Sequence, residues 1–225
     1  MEQKTFALKG NIIYTKERTR FEVMEQGWLV CEEGRVRDVY SVLPEELKGI
    51  PVEDMEDRLI IPGLTDLHIH APQYTFRSLG MDMELLEWLE TNTFPEESKY
   101  KDAEYAKKAY GMFAEQLKKS ATVRACIFGT IHNEATLILM DLLEEAGLHT
   151  MVGKVNMDRN SPDYLCEPSA EASAQATREW LKAVADRKYK HTRPILTPRF
   201  TPSCTDELME LLKGIQTETH LPVQS

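Results

Sequence analysis

Pro62-Gly63-Leu64-Thr65-Asp66-Leu67-His68-Ile69-His70 is the stretch on which the reading of this chain turns. Pro-Gly is strong local punctuation, and the run from Leu64 to Ile69 is short, apolar and partly β-branched, the pattern of a buried strand. Side chains alternate along a strand, so His68 and His70 project to the same face. Two imidazoles at that spacing can bind one metal ion, and nitrogen ligands suit zinc or iron. In parallel α/β folds, sites sit at the C-terminal ends of the strands. A bare His-x-His also fits two histidines satisfied by hydrogen bonds; the Pro-Gly turn and the strand favour the metal.

Downstream, strands and helices alternate. Asp102 to Lys119 carries Ala106, Tyr110, Phe113 and Leu117 at helical steps, and Val123 to Gly129 reads as a strand. Glu134 to Ala146 reads as a helix closed by Gly147, and His149 to Asn156 as a strand. Ser169 can cap a helix with Ala176, Trp180 and Val184 on one stripe. Ile195 to Arg199 follows Pro194 as a strand, Leu208 to Ile215 stripes a helix, and Leu221 to Ser225 looks like a further strand. This is an α/β pattern of parallel strands with right-handed crossovers. It suits an open doubly wound sheet or the first half of an eight-fold barrel. A whole barrel takes about 250 residues, more than remain after residue 59. Tyr74 to Tyr100 is too long for an ordinary connection, and such loops are often functional.

Upstream, residues 1–60 read as a β meander preceding the α/β part, 61–225. Phe6 to Tyr14 is a strand candidate, and Gly27–Cys31 and Arg35–Tyr40 flank Glu32-Glu33-Gly34, a hairpin-like turn.

The chain has 225 residues, 42% hydrophobic and 28% charged, a globular balance that excludes intrinsic disorder. Its net charge of −10 makes a nucleic-acid partner a poor expectation. No apolar run approaches the roughly 20 residues of a membrane span. Met1 to Thr5 opens with no apolar leader segment, so no secretory signal is expected. Cys31, Cys126, Cys166 and Cys204 are widely spaced, which speaks for reduced thiols and a cytoplasmic setting.

Other chemistry is sparse. A catalytic zinc normally has three protein ligands and an open position. His132, at the end of the second α/β strand, is a possible third but more often a packing residue, and His149, His191 and His220 lie at the wrong ends of strands. His132-Asn133-Glu134 matches the His-x-Glu of zinc base deaminases, but Pro202-Ser203-Cys204-Thr205 does not supply the Pro-Cys-x-x-Cys that must follow. Phosphate-binding glycine loops and the Gly-x-Ser-x-Gly elbow are missing. Arg199, in Thr197-Pro198-Arg199-Phe200, offers a fork suited to two adjacent acceptors such as the O6 and N7 edge of a guanine base, and Phe200 could pack on a flat ring. The plainer alternative is an exposed arginine beside a core phenylalanine. Gln73, directly after the histidines, can present both a donor and an acceptor to a heterocycle.

Taken together, Pro62 to Gln73, Leu85-Leu86-Glu87-Trp88-Leu89 with Thr93-Phe94-Pro95, Gly153 to Asp158, and Thr197 to Phe200 resemble the amidohydrolase superfamily and, within it, the guanine deaminase family. The resemblance implies a partial (β/α)8 TIM barrel with about five strands present, and an N-terminal segment of a small β-sandwich. It implies zinc-dependent hydrolysis of guanine to xanthine and ammonia, one zinc ion (iron not excluded), and a homodimer at full length. It implies His68 and His70 as metal ligands, Asp66 as a supporting neighbour, and Gln73, Arg199 and Phe200 as guanine contacts. A third histidine ligand, a glutamate proton shuttle, a further histidine and a metal-binding aspartate would all follow Ser225. No catalytic residue is therefore expected within the chain, which would match the N-terminal half of such an enzyme, be inactive alone and leave open sheet edges prone to aggregation. Two other readings compete: an amidohydrolase for a different heterocyclic amine or cyclic amide, and a non-catalytic half-barrel remnant.

Overall fold

The computed structural model describes residues 5–225, so the expectation about the first four residues lies outside the described part. The chain divides into two compact units, Met1–Gly63 and Leu64–Ser225.

The first unit is a four-stranded sheet of β1 (Phe6–Glu17), β2 (Arg20–Glu32), β3 (Arg35–Tyr40) and β4 (Val52–Ile60), in the order β3-β2-β1-β4. Both β1–β2 and β2–β3 are antiparallel, while β4 runs parallel to β1. The β2–β3 turn places Glu33 and Gly34 at φ of 50° and 74°. Two successive positive φ angles define the tight hairpin turn whose twist matches the strands, and Gly34 takes its half without strain. Ala7, Val30 and Leu47 form the core of this unit, covered by Trp28, Tyr40, Leu43 and Ile50. Sequence periodicity misses β4. Among the described residues this strand pairs on one side only, and its Val-Glu-Asp-Met-Glu-Asp-Arg run is almost wholly exposed, so no apolar alternation marks it.

The second unit is built on β5 (Leu64–His70), β6 (Thr122–Phe128), β7 (His149–Gly153) and β9 (Thr192–Pro194), all parallel and in sequence order. A doubly wound sheet needs a point where the order reverses. The four strands have none, so the doubly wound alternative falls. The connecting helices α3 (Ala103–Lys118), α4 (Asn133–Glu145), α5 (Ala170–Arg187) and α6 (Asp206–Thr219) pack each against the next. Their starts follow capping chemistry. Asp102 accepts from the Glu104 and Tyr105 amides, Ser169 from Ala172, and Thr205 from Leu208. Gly147 takes φ of 72° just past α4, as a C-terminal glycine should. Tyr110, Phe113, Ile127, Leu139, Leu143 and Trp180 fill the core between helices and sheet.

Four readings need correction. The first α/β strand, β5, is not buried along its length: among the described residues it pairs on one side only, and Leu67 is 72% exposed. The strand expected over His149 to Asn156 is two, β7 and the short β8 (Val155–Asn156). That expected over Ile195 to Arg199 is likewise displaced: β9 ends at Pro194, and β10 (Thr197–Pro198) pairs with β8. The Ile195 N–H still donates to the Val152 carbonyl at 3.1 Å, and the chain then leaves β7 to pair with β8. Leu221 to Ser225 makes a single parallel bridge, Leu196 to Val223, because Pro222 contributes only its carbonyl, to the Leu196 amide. The long connection is largely helical: 3₁₀ turns at Ala71–Phe76 and Lys99–Lys101 bracket α1 (Leu85–Trp88), a wider π turn (Leu89–Thr93) and α2 (Phe94–Ser98).

Candidate active site

His68 and His70 occupy the C-terminal end of β5, where the strand carries one residue more than its partner. Asp66 pairs with Ala125, but Ile69 already pairs with Ile127. Such a bulge re-aims side chains at a sheet edge. The Asp66 carboxylate pins the bulge by accepting from the His68 backbone N–H at 3.0 Å. The Nε2 atoms of His68 and His70 then face each other at 3.2 Å. Nitrogens bound at about 2.0–2.1 Å to one tetrahedral ion stand about 3.3 Å apart, so the pair fits a shared metal. Burial, the Arg199 guanidinium and His68 together push the His70 imidazole down to about 3, so the ring is neutral and one of its nitrogens keeps a free lone pair for a metal. The Nδ1 of His70 is buried with no partner among the described residues. No group of three or more His, Cys, Asp or Glu side chains among the described residues is placed to hold an ion, so these two stand without a third.

Both rings rest on Phe128, the last residue of β6 and the register partner of His70. Phe128 is fully buried in a cluster with Leu89, Phe94, Val155, Met157 and Leu165, against which Phe200 packs. Sequence reasoning assigned Phe128 no role. Its place at the end of the neighbouring parallel strand was the available signal.

Gln73 lies on the 3₁₀ turn directly after His70. Its turn is anchored from below, since the buried Tyr100 hydroxyl donates to the Pro72 carbonyl at 3.2 Å. Thr75 on the same turn donates to Glu96 at 2.7 Å. The Gln73 side-chain amide makes no hydrogen bond with the described residues, so its donor and acceptor are both free.

Arg199 follows β10, and its backbone N–H donates to the Asn156 carbonyl. Its side chain is 4% exposed, which removes the exposed-arginine alternative. The guanidinium donates from Nη1 and Nη2 to Oε2 and Oε1 of Glu97, at 2.5 and 3.1 Å. Glu97 is 1% exposed and sits on α2, within the long connection. It is the second residue that the sequence reading missed. Only the length of that connection hinted at it.

His68, His70, Gln73, Arg199 and Phe200 line one cleft of about 700 Å³, together with Tyr74, Trp88 and Phe113. That volume suits a small flat ligand, and the walls are mostly apolar with a few convergent polar groups. His132 does not line it. It precedes α4, where burial and the nearby Lys101 and Lys154 cations push its imidazole down to about 4. His149 and His191 stack edge-to-face on each other, 5.1 Å between ring centroids.

Residues 59–224 match the amidohydrolase family model, and the chain belongs to that family. Among curated relatives, guanine deaminase of Dictyostelium discoideum is 35% identical over 96% of this chain and 52% of its own length. Guanine deaminase of Mus musculus is likewise 35% identical, over 96% of this chain and 44% of its own. The crystal structure of guanine deaminase from C. acetobutylicum with bound guanine superposes with a TM-score of 0.92 at 43% identity, covering 98% of this chain and 52% of that one. The chain spans about half the length of the curated relatives it matches. No helix among the described residues is long and apolar enough to cross a membrane.

Proposed function

We propose that this chain carries the base-recognition residues and the first two metal ligands of a zinc-dependent guanine deaminase, which hydrolyses guanine to xanthine and ammonia in purine catabolism. The observation that carries the reading is the convergence of His68, His70, Gln73, Arg199 and Phe200 on one cleft. The guanine-bound relative supports guanine as the ligand.

His68 and His70 would hold the zinc ion, which when bound would supply a water-derived nucleophile at neutral pH. The work of the chain itself is positioning. Arg199 donates to the O6 and N7 edge of the base, Gln73 offers its amide to the ring, and Phe200 packs on its face. These contacts turn the amino-bearing carbon toward the histidines, and orientation of that kind is a large part of catalysis. A carboxylic acid must also protonate the ring nitrogen and the leaving ammonia. That group and the remaining metal ligands are expected from residues outside these 225, and the chain alone is expected to be inactive. We read Leu64–Ser225 as the first half of a (β/α)8 barrel and the preceding strands as part of a β-sandwich. The setting is cytoplasmic, which the free cysteines support, and the family resemblance speaks for a homodimer at full length.

The test is conversion of guanine to xanthine, followed by absorbance and by ammonia release, using the protein at its native mass. Arg199→Ala is expected to cost far more turnover than bound metal. Unchanged guanine turnover in both Arg199→Ala and Gln73→Ala would sink the substrate assignment.

A further inference from the structure

The Arg199 guanidinium meets Glu97 end-on: Nη1 and Nη2 each donate to one carboxylate oxygen, and Nε makes no hydrogen bond with the described residues. A guanidinium is a rigid fork of five N–H donors. With its tip occupied, the edge that remains is the side formed by Nε–H and the second Nη2–H, two parallel donors. We propose that Glu97 is a positioning residue that fixes this edge toward the cleft, so that the site selects purines with an oxygen at C6. The inference rests on the guanine reading above and adds the residue that makes Arg199 selective.

Three observations support it. The pair is buried on both sides, 4% and 1% exposed, so neither charge is screened by water. It joins positions 102 residues apart, which ties α2 in the long connection to the strand end that carries Arg199 and Phe200. The guanidinium also lies 5.6 Å from the centre of the Phe94 ring, which restricts its tilt. Held in this plane, the side edge matches O6 and N7 of a 6-oxopurine. A base with hydrogen or an amino group at C6 loses one acceptor, or sets a donor against a donor. The neighbouring Glu96 does not share this role, since its carboxylate is taken by Thr75, Tyr105 and Lys99.

The experiment uses the metal-loaded protein at its full native length and two ligands that cannot be deaminated. Hypoxanthine presents O6 and N7, whereas unsubstituted purine presents N7 alone. Glu97→Gln keeps the shape of the side chain and removes the charge that orients Arg199. It is expected to weaken hypoxanthine binding about tenfold or more, the discrimination of one bidentate contact, and purine binding less than about threefold. The KM for guanine should rise by more than kcat falls. Glu97→Asp keeps the charge and so does not strand a buried cation. It should fold even where Glu97→Gln does not, and shift the hypoxanthine-to-purine ratio in the same direction by less. Equal losses for both ligands, or an unchanged ratio in Glu97→Asp, would mean that Glu97 only stabilises the fold. A wild-type protein that neither deaminates guanine nor binds hypoxanthine would overturn the guanine reading itself, and this inference with it.

Discussion

The His70 imidazole lies almost parallel to the Phe128 ring, with 15° between the planes and 4.2 Å between centroids. His68 rests on the same ring at 4.8 Å, so one buried phenylalanine sets the orientation of both candidate ligands.

Phe128→Ala is therefore expected to do two things. Removing a fully buried phenylalanine costs about 3–5 kcal/mol, visible as a lower denaturation midpoint. It also frees both imidazoles, so bound zinc, counted by elemental analysis of full-length protein, should fall below stoichiometric. Phe128→Leu keeps much of the volume and loses the flat platform, and should lower zinc affinity with a smaller loss of stability. Full zinc retention in Phe128→Ala would show that the platform does not orient the ligands. His68→Ala, at an exposed position, should abolish zinc binding with little change in stability.

Gly153 ends β7 where Thr197 crosses it. A Cβ at residue 153 would lie 1.7 Å from the Thr197 hydroxyl oxygen and 2.7 Å from the Ile195 carbonyl. Neither neighbour is a flexible chain end. Gly153→Ala is expected to destabilise the second unit by about 3 kcal/mol or more, at the upper end of overpacking costs. Combining it with Thr197→Gly removes the worse of the two clashes and should recover part of that loss in urea denaturation. No recovery would place the strain on the Ile195 carbonyl alone.

The alternation of strands and helices was legible because buried parallel strands and amphipathic helices write their periods into the sequence, as Tyr110, Phe113 and Leu117 do on α3. The histidine pair was legible because a strand puts His68 and His70 on one face. Glu97 was not. A carboxylate on a five-residue helix carries no period, and its partner lies 102 positions away. The break between β7 and β8 was also hidden, because it depends on where Thr197 meets Gly153 and no local pattern encodes that. β4 went unseen because edge strands need no apolar face.

Lys154 is wholly buried and ion-paired with Glu167, whose other oxygen accepts from the Met157 amide and the Ser173 hydroxyl. Burial pulls the Lys154 ammonium below its usual range while Glu167 holds it up. Lys154→Met leaves Glu167 as an uncompensated buried charge and should cost about 3–5 kcal/mol. The double change Lys154→Met with Glu167→Leu is expected to be more stable than the single one, since a buried pair is costly mainly when broken. A double-mutant cycle by chemical denaturation checks this, and strictly additive losses would mean that the two charges do not couple.

Glu144, near the end of α4, accepts backbone N–H bonds from Lys190, His191 and Thr192 at 2.7, 2.9 and 3.0 Å, and so fixes the approach to β9. Burial opposes ionisation of this carboxyl, but the three amides outweigh it and hold its pKa below the usual value. A carboxyl whose folded pKa is depressed stabilises the fold above its unfolded pKa of about 4.3 and loses that contribution as pH falls through the lower, folded value. The wild-type chain should therefore weaken as pH drops below about 4.5, in part through this group. Glu144→Gln keeps one acceptor and no charge. It should cost about 1–2 kcal/mol at pH 7, with the figure kept modest because the carboxylate is largely solvated. The gap between variant and wild type should narrow toward pH 3. Denaturation midpoints measured from pH 3 to pH 8 decide it: a gap that stays constant across that range would show that the three amide bonds do not depend on the charge.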